Sequence, residues 1–218
     1  AFKIWVSAAG NPNPEAAIGF ENIQEISHAT TDGRTLRGFK LAATSPSRGA
    51  LLFAQGNAML ADQVLTTLIP IASQGIDVYV FDYRGYGLSN GTPRLKAIIH
   101  DYTELAEAVS KQSPGKLYLY GVSFGGVVLL NALASIGTVD AIVIDSSPSV
   151  ISDNGCPTAY DPASNVPNNA QNFLMIMGEK DRVVPPERSS VLAEIISSRG
   201  GYVEKNEQFA HPFMDKGE

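Results

Sequence analysis

The segment Gly121-Val122-Ser123-Phe124-Gly125, with Gly126 behind it, limits the possible folds more than any other part of this sequence. It stands between an apolar, strand-like run, Leu117–Tyr120, and an apolar helical stretch, Val127–Ala134. A Ser in a G-x-S-x-G segment so placed sits on a sharp strand-to-helix turn, where strained backbone angles lift its hydroxyl clear of a sheet. The flanking glycines let neighbouring elements approach without a Cβ clash. The N-terminus of the following helix lies under any negative charge that develops above the Ser. The pentapeptide alone also arises by chance, as a small-residue turn. Its strand–turn–helix setting makes Ser123 the candidate nucleophile.

The rest of the chain supplies a sheet for such a turn. Ile23–Thr30 and Thr35–Ala42 read as strands around Thr31-Asp32-Gly33, a hairpin or short-loop signal. Ala50–Ala54 is a short apolar run between Gly49 and Gly56, the pattern of a strand buried on both faces. Strand and helix then alternate. Asp62–Ser73 has helical spacing, with a kink or early stop expected at Pro70. Asp77–Phe81 reads as a strand, and Leu95–Lys111 as a helix with Ile98, Tyr102, Leu105 and Val109 on one face. Strands follow at Lys116–Tyr120, Asp140–Asp145, Phe173–Met177 and Tyr202–Asn206, with helices at Ser123–Ser135 and Pro186–Ser198. Such alternation predicts an α/β fold: a mostly parallel sheet of about eight strands, antiparallel at its start and flanked by helices. Residues 1–22 read as an N-terminal arm and 23–218 as the core. Residues 146–172, rich in Ser, Pro and Asn, lack both periods.

Composition narrows the function classes. Hydrophobic residues make up 44% of the 218, enough for a large core. The net charge of -6, with no Lys/Arg cluster, argues against a nucleic-acid partner. No apolar run reaches the length that spans a bilayer, so no transmembrane segment is expected. The chain opens with Ala; it reads as soluble, and the sequence leaves its compartment unknown between cytoplasmic and, if that start reflects processing, periplasmic or secreted. The single cysteine, Cys156, has no intrachain partner and no nearby His, so it is discounted as a nucleophile. No metal-ligand spacing or nucleotide loop is present, and no cofactor is expected.

Of the three histidines, His28 and His100 precede Ser123 and read as structural. His211 alone follows it, and can serve as general base and then general acid. Three acids compete to orient His211. Asp181 follows the strand Phe173–Met177 and faces the rim that carries the Ser turn. Asp145 ends the preceding strand and is the runner-up, and Asp215 stands too close behind His211. Gln55-Gly56-Asn57-Ala58, after the strand Ala50–Ala54, is placed to supply one oxyanion-hole N–H, from Asn57. Phe124, directly after the nucleophile, supplies the other; Asn57 would act through its main chain.

These segments, with Phe81-Asp82-Tyr83-Arg84-Gly85-Tyr86-Gly87-Leu88-Ser89, resemble the α/β-hydrolase superfamily. The chain is most similar to its depalmitoylase-like, esterase branch of serine hydrolases with a His-Gly-Asn oxyanion loop. The resemblance runs from about residue 30 to 212. It implies a Ser123–Asp181–His211 catalytic triad, and reads Asp82–Gly87 as a structural turn beside the active site. Arg84 could contact a substrate anion, but a salt bridge to the turn itself is the favoured reading. Three departures stand out. Gln55 replaces the family's structural His. The lid is reduced to residues 146–172. Only seven residues, 212–218, follow His211 where the family has a closing helix, which predicts a weakly anchored His loop.

The function expected is hydrolysis of a small-molecule carboxylic ester or thioester through an acyl-enzyme on Ser123. A serine peptidase on the same fold is the alternative, though it would usually need a larger lid. A non-catalytic binding protein of this fold would usually have lost the Ser or the His, and this sequence keeps both. Residues 146–172 cannot form the amphipathic helices of a lipase roof, so the site is expected to be open.

Overall fold

The computed structural model describes residues 4, 6–113 and 115–213. Its centre is an eight-stranded sheet in the order β1-β2-β4-β3-β5-β6-β7-β8. β1 (Ile23–Ala29) and β2 (Thr35–Leu41) form an antiparallel hairpin, and β2 runs antiparallel to β4 (Asp77–Phe81). From β4 onward every pairing is parallel, through β3 (Gly49–Ala54), β5 (Lys116–Val122), β6 (Ala141–Asp145), β7 (Phe173–Gly178) and β8 (Tyr202–Asn206). Every residue of β3 is buried, as expected of a central strand between two covered faces.

The helices cover the two faces unequally. Leu52 of β3 points into a core formed with α2 (Leu95–Gln112), α3 (Phe124–Ala132) and α4 (Pro186–Ser198), through Tyr102, Val127 and Leu192. Leu51 and Phe53 point the other way, onto α1 (Leu65–Ala72) through Leu65 and Leu68. On that second face Val143, Leu174 and Ile176 of β6 and β7 are only half-buried.

Two helices differ from the periodicity. The stretch Asp62–Ser73 is a 3-10 turn, Ala61–Val64, followed by α1. Pro70 lies inside α1, which ends two residues later at Ala72, consistent with its missing N–H donor. The expected helix Ser123–Ser135 is α3 plus a 3-10 turn, Leu133–Ser135, and Ser123 itself is non-helical.

Residues 146–172 form short 3-10 turns at Ser152–Asn154, Thr158–Tyr160 and Pro162–Asn165. They are pinned to the α3/α4 side of the sheet. Asn131 of α3 donates to the Tyr160 carbonyl at 2.9 Å, Ser149 accepts from Leu192 N–H of α4 at 2.9 Å, and Val166 is buried in the core. Asp161 ties the segment to itself by accepting from the N–H groups of Ile151 and Ser152, both at 2.8 Å.

Because β3, β5, β6, β7 and β8 are parallel, their C-terminal ends share one edge. That edge carries the loops after Ala54, Val122, Asp145, Gly178 and Asn206, and in open α/β sheets ligands bind there.

Candidate active site

Ser123 bridges β5 and α3 with φ 52° and ψ −110°, outside the regions a non-glycine residue favours. Its neighbours explain how the turn is held. Ser123 N–H donates to the Asp145 carbonyl at 2.8 Å, and the Ser147 hydroxyl donates to the Ser123 carbonyl at 2.9 Å. A Cβ on Gly125 would lie 1.9 Å from the Ala54 carbonyl oxygen, and one on Gly121 2.7 Å from the Gly125 carbonyl carbon. Only glycine lets α3 sit this close to the end of β3.

Asp181 and His211 meet on the neighbouring loops. His211 Nδ1 is 2.7 Å from Asp181 Oδ2, and both residues are buried. The other carboxylate oxygen, Oδ1, accepts from Val183 and Val184 N–H, each at 2.8 Å. Burial works to raise the Asp181 pKa, but these bonds and the neighbouring imidazole outweigh it and hold the carboxyl below its ordinary value. The His loop is not weakly anchored as expected but seated on the end of β7. Lys180 N–H donates to the Phe209 carbonyl at 3.0 Å. Gly178 lets the loop approach so closely that a Cβ there would lie 2.3 Å from the Phe209 oxygen. The Phe213 ring stands edge-on to Phe53 of β3 at 6.5 Å. No hydrogen bond joins the Ser123 hydroxyl to the His211 ring among the described residues. Such contacts are often loose before substrate binds.

The side chains of the other candidates engage other partners. Asp145 is turned to Tyr120, whose hydroxyl donates to it at 2.9 Å, and to the Ser146 hydroxyl at 3.0 Å. Burial raises its pKa, although the nearby His211 works to lower it. Asp215 lies outside the described residues. His28 and His100 both flank Glu104 of α2, at 3.5 and 3.0 Å. Cys156 is half-buried and packs on the core.

The loop after β3 lies against the Ser turn: a Cβ on Gly56 would be 3.9 Å from Ser123 Cβ. Gln55 is wholly buried, and its side-chain amide donates to the Phe81 carbonyl at 2.9 Å. Thus Gln55 ties the loop to β4 by a side-chain hydrogen bond. The Asn57 side chain is also engaged: its Oδ1 accepts from the Tyr86 hydroxyl at 2.8 Å. Tyr83 donates to the Gln55 carbonyl at 2.5 Å, and Asp82 accepts from Ala61 N–H at 2.7 Å. Sequence alone places these two tyrosines in a structural turn, and at 28 and 29 residues from their partners they carry no local signal of this role. Arg84 pairs with Asp101 of α2 and Asp32 of the β1–β2 turn rather than with its own turn, because the sheet order sets the β1–β2 turn at the same end as the turn after β4 and both carboxylates meet its buried side chain there.

A cavity of about 690 Å³ lies between Pro12–Pro14, the β1–β2 hairpin and Leu88, and Ser123, Asp181 and His211 do not line it. Among the described residues no group of His, Cys, Asp or Glu is arranged to hold a metal ion. No helix there is long and apolar enough to cross a membrane.

Residues 45–166, more than half of the chain, match the Hydrolase_4 family model, described as serine aminopeptidase, S33. The uncharacterized protein YfhR of Escherichia coli O157:H7 is 30% identical over 194 residues, covering 78% of this chain and 66% of that protein. Human alpha/beta hydrolase domain-containing protein 17C is 34% identical over 104 residues, covering 46% of this chain and 31% of that protein. The chain therefore spans about two thirds of the first relative's length and about a third of the second's. Among solved structures, the Pyrococcus furiosus esterase Pf2001 superposes with a TM-score of 0.72 at 16% identity, covering 87% of this chain and 84% of that one. XC6422 of Xanthomonas campestris, described as an α/β serine hydrolase without a lid, superposes with a TM-score of 0.70 at 20% identity over 88% of this chain and 86% of that one. At these identities the superpositions show a common fold.

Proposed function

This chain belongs to the serine aminopeptidase S33 family of α/β hydrolases, and from that premise we propose that it hydrolyses carboxylic esters or thioesters through an acyl-enzyme on Ser123. The observation that carries the reading is the buried Asp181–His211 hydrogen bond of 2.7 Å, on the same sheet edge as the strained Ser123 turn. In the proposed mechanism Asp181 holds the Nδ1–H of His211, leaving Nε2 to take the Ser123 proton. The Ser123 oxygen attacks the acyl carbonyl, and the N–H groups of Asn57 and Phe124 receive the developing oxyanion. His211 returns the proton to the leaving alcohol or thiol. Water, deprotonated by His211, then releases the acid and restores the Ser123 hydroxyl.

The esterase name of one structural neighbour and the lidless description of another agree with this choice of substrate. So does the pinning of residues 146–172 to α3 and α4, which leaves no roof built to recognise a peptide terminus. The family description itself favours a second reading, a peptidase with the same nucleophile. The test has two arms. A fluorophosphonate probe should label Ser123, located by peptide mass mapping. Matched p-nitrophenyl ester and p-nitroanilide substrates should then show turnover of the ester alone. Faster anilide cleavage would establish the peptidase, and no Ser123 labelling would remove both readings.

A further inference from the structure

The loop that carries Asn57 has little regular structure to hold it. It leaves β3 at Ala54, passes Gly56, and takes Ala58 through φ 64°, a left-handed conformation unfavourable for a residue with a Cβ. An oxyanion donor must nevertheless stand within a few tenths of an ångström of its working place. What holds this loop is the end of β4 and the turn that follows it. Phe81 accepts from the Gln55 side chain and Tyr83 donates to the Gln55 carbonyl. Tyr86 donates to Asn57 Oδ1 and Asp82 accepts from Ala61 N–H. The loop is thus gripped before, at and after the oxyanion residue.

Tyr86 makes the grip at Asn57 itself. It is wholly buried, with its ring edge-on to Tyr83 at 5.6 Å. Tyr83 in turn stands edge-on to the Phe124 ring at 5.3 Å. The two tyrosines therefore touch both segments that carry the proposed oxyanion donors.

We propose that Tyr86 is a positioning residue for the oxyanion hole, its phenol fixing the Asn57 side chain and through it the direction of the Asn57 N–H. The proposal rests on the reading of Ser123 as nucleophile. Tyr86 touches no reacting atom; removing its hydroxyl should misplace a donor that acts only once charge develops. The loss should therefore fall on kcat and spare KM.

The experiment uses Tyr86→Phe, which keeps the ring, Asn57→Ala, which keeps the N–H, and the double variant, all on p-nitrophenyl acetate with active sites counted by the acyl burst. Removing an oxyanion donor outright costs about 100- to 1000-fold, so misplacing one should cost about tenfold in kcat for each single variant. KM should stay within about twofold, and fluorophosphonate labelling should slow in parallel. Because both variants cut the same bond, the double should lose no more than the worse single. A purely structural role would lower the melting temperature and the active fraction but leave kcat per active site intact. Tyr86→Phe at the wild-type kcat, losses that multiply in the double, or a loss carried by KM would each overturn the inference. Should Tyr86→Phe fail to fold, Asn57→Ala at wild-type kcat overturns it alone. Wild-type protein without Ser123-dependent turnover would overturn the underlying reading, and this inference with it.

Discussion

The backbone of Ser123, at φ 52° and ψ −110°, occupies a conformation that costs of order 1–3 kcal/mol, and its surroundings must over-determine it. The bonds to Asp145 and Ser147 do so through the main-chain atoms of Ser123 and do not use its hydroxyl. Ser123→Ala should therefore fold normally and lose on the order of 10⁶ in kcat, read by ester turnover alongside a melting curve. Asp181→Asn should cost about 10⁴, since an amide favours the wrong His211 tautomer, while Asp145→Asn should cost less than about tenfold. A reversed ranking would make Asp145 the orienting acid. Asp82 gives a pH effect of unusual sign. Burial, reinforced by the charge of Asp62 and only partly offset by Ala61 N–H, pushes its pKa from the ordinary 3.8 to about 6. The folded state then binds this proton more tightly than the unfolded chain, so stability rises as pH falls from about 6 towards 4. Asp181, whose pKa is lowered, works the other way and loses its contribution only below the ordinary carboxylate range. Urea denaturation at about pH 7 and pH 4.5 should show Asp82→Asn lacking about 2 kcal/mol of the wild-type gain on acidification. Equal pH dependence in the two proteins would place the Asp82 pKa near its ordinary value.

At the scale of elements, the close approach of α3 to β3 is what sets Ser123 beside the Asn57 loop. Gly125→Ala would force its methyl against the Ala54 carbonyl, an atom fixed in the sheet. It should destabilise by about 3 kcal/mol or abolish folding, measured by denaturant titration. This closeness was legible in the sequence, since glycines around a Ser between an apolar strand and helix have one main mechanical use. Strand bounds such as Asp77–Phe81 and Tyr202–Asn206 were equally legible, because short apolar or alternating runs there meet clear punctuation. The partners of side chains were not. Nothing local in Arg84 says that Asp32 and Asp101 will surround it, and nothing in Asn57 says that a tyrosine 29 residues away will hold its amide oxygen. Those pairings depend on which loops the sheet order brings together. The seating of the His211 loop escaped for the same reason, because it rests on Gly178 and Lys180 of another strand's end.

Across the whole molecule, the two faces of the sheet and its loop edge decide what reaches Ser123. Residues 146–172 spend their polar groups on themselves and on α3 and α4. Tyr160 and Val166, the two side chains best able to wall a pocket, pack in or against the core on that side. Around the edge, Val183, Phe209 and Phe213 are partly exposed at 46%, 44% and 38%, so the apolar surface near the His211 loop is open to water. On the proposed ester reading, an acyl chain entering such a site would bury its first few carbons against these rims and leave the remainder in solvent. Each methylene left exposed forgoes about 0.8 kcal/mol of burial, so added length brings no further transition-state binding once the rim is passed. In a series of p-nitrophenyl esters, kcat/KM should rise over the first few carbons and then level off. It should show no jump when the substrate passes its solubility limit, because no amphipathic helix is present among residues 146–172 to open at an interface. A kcat/KM that keeps climbing to long chains would require a buried acyl channel, and the open site would then be the wrong description.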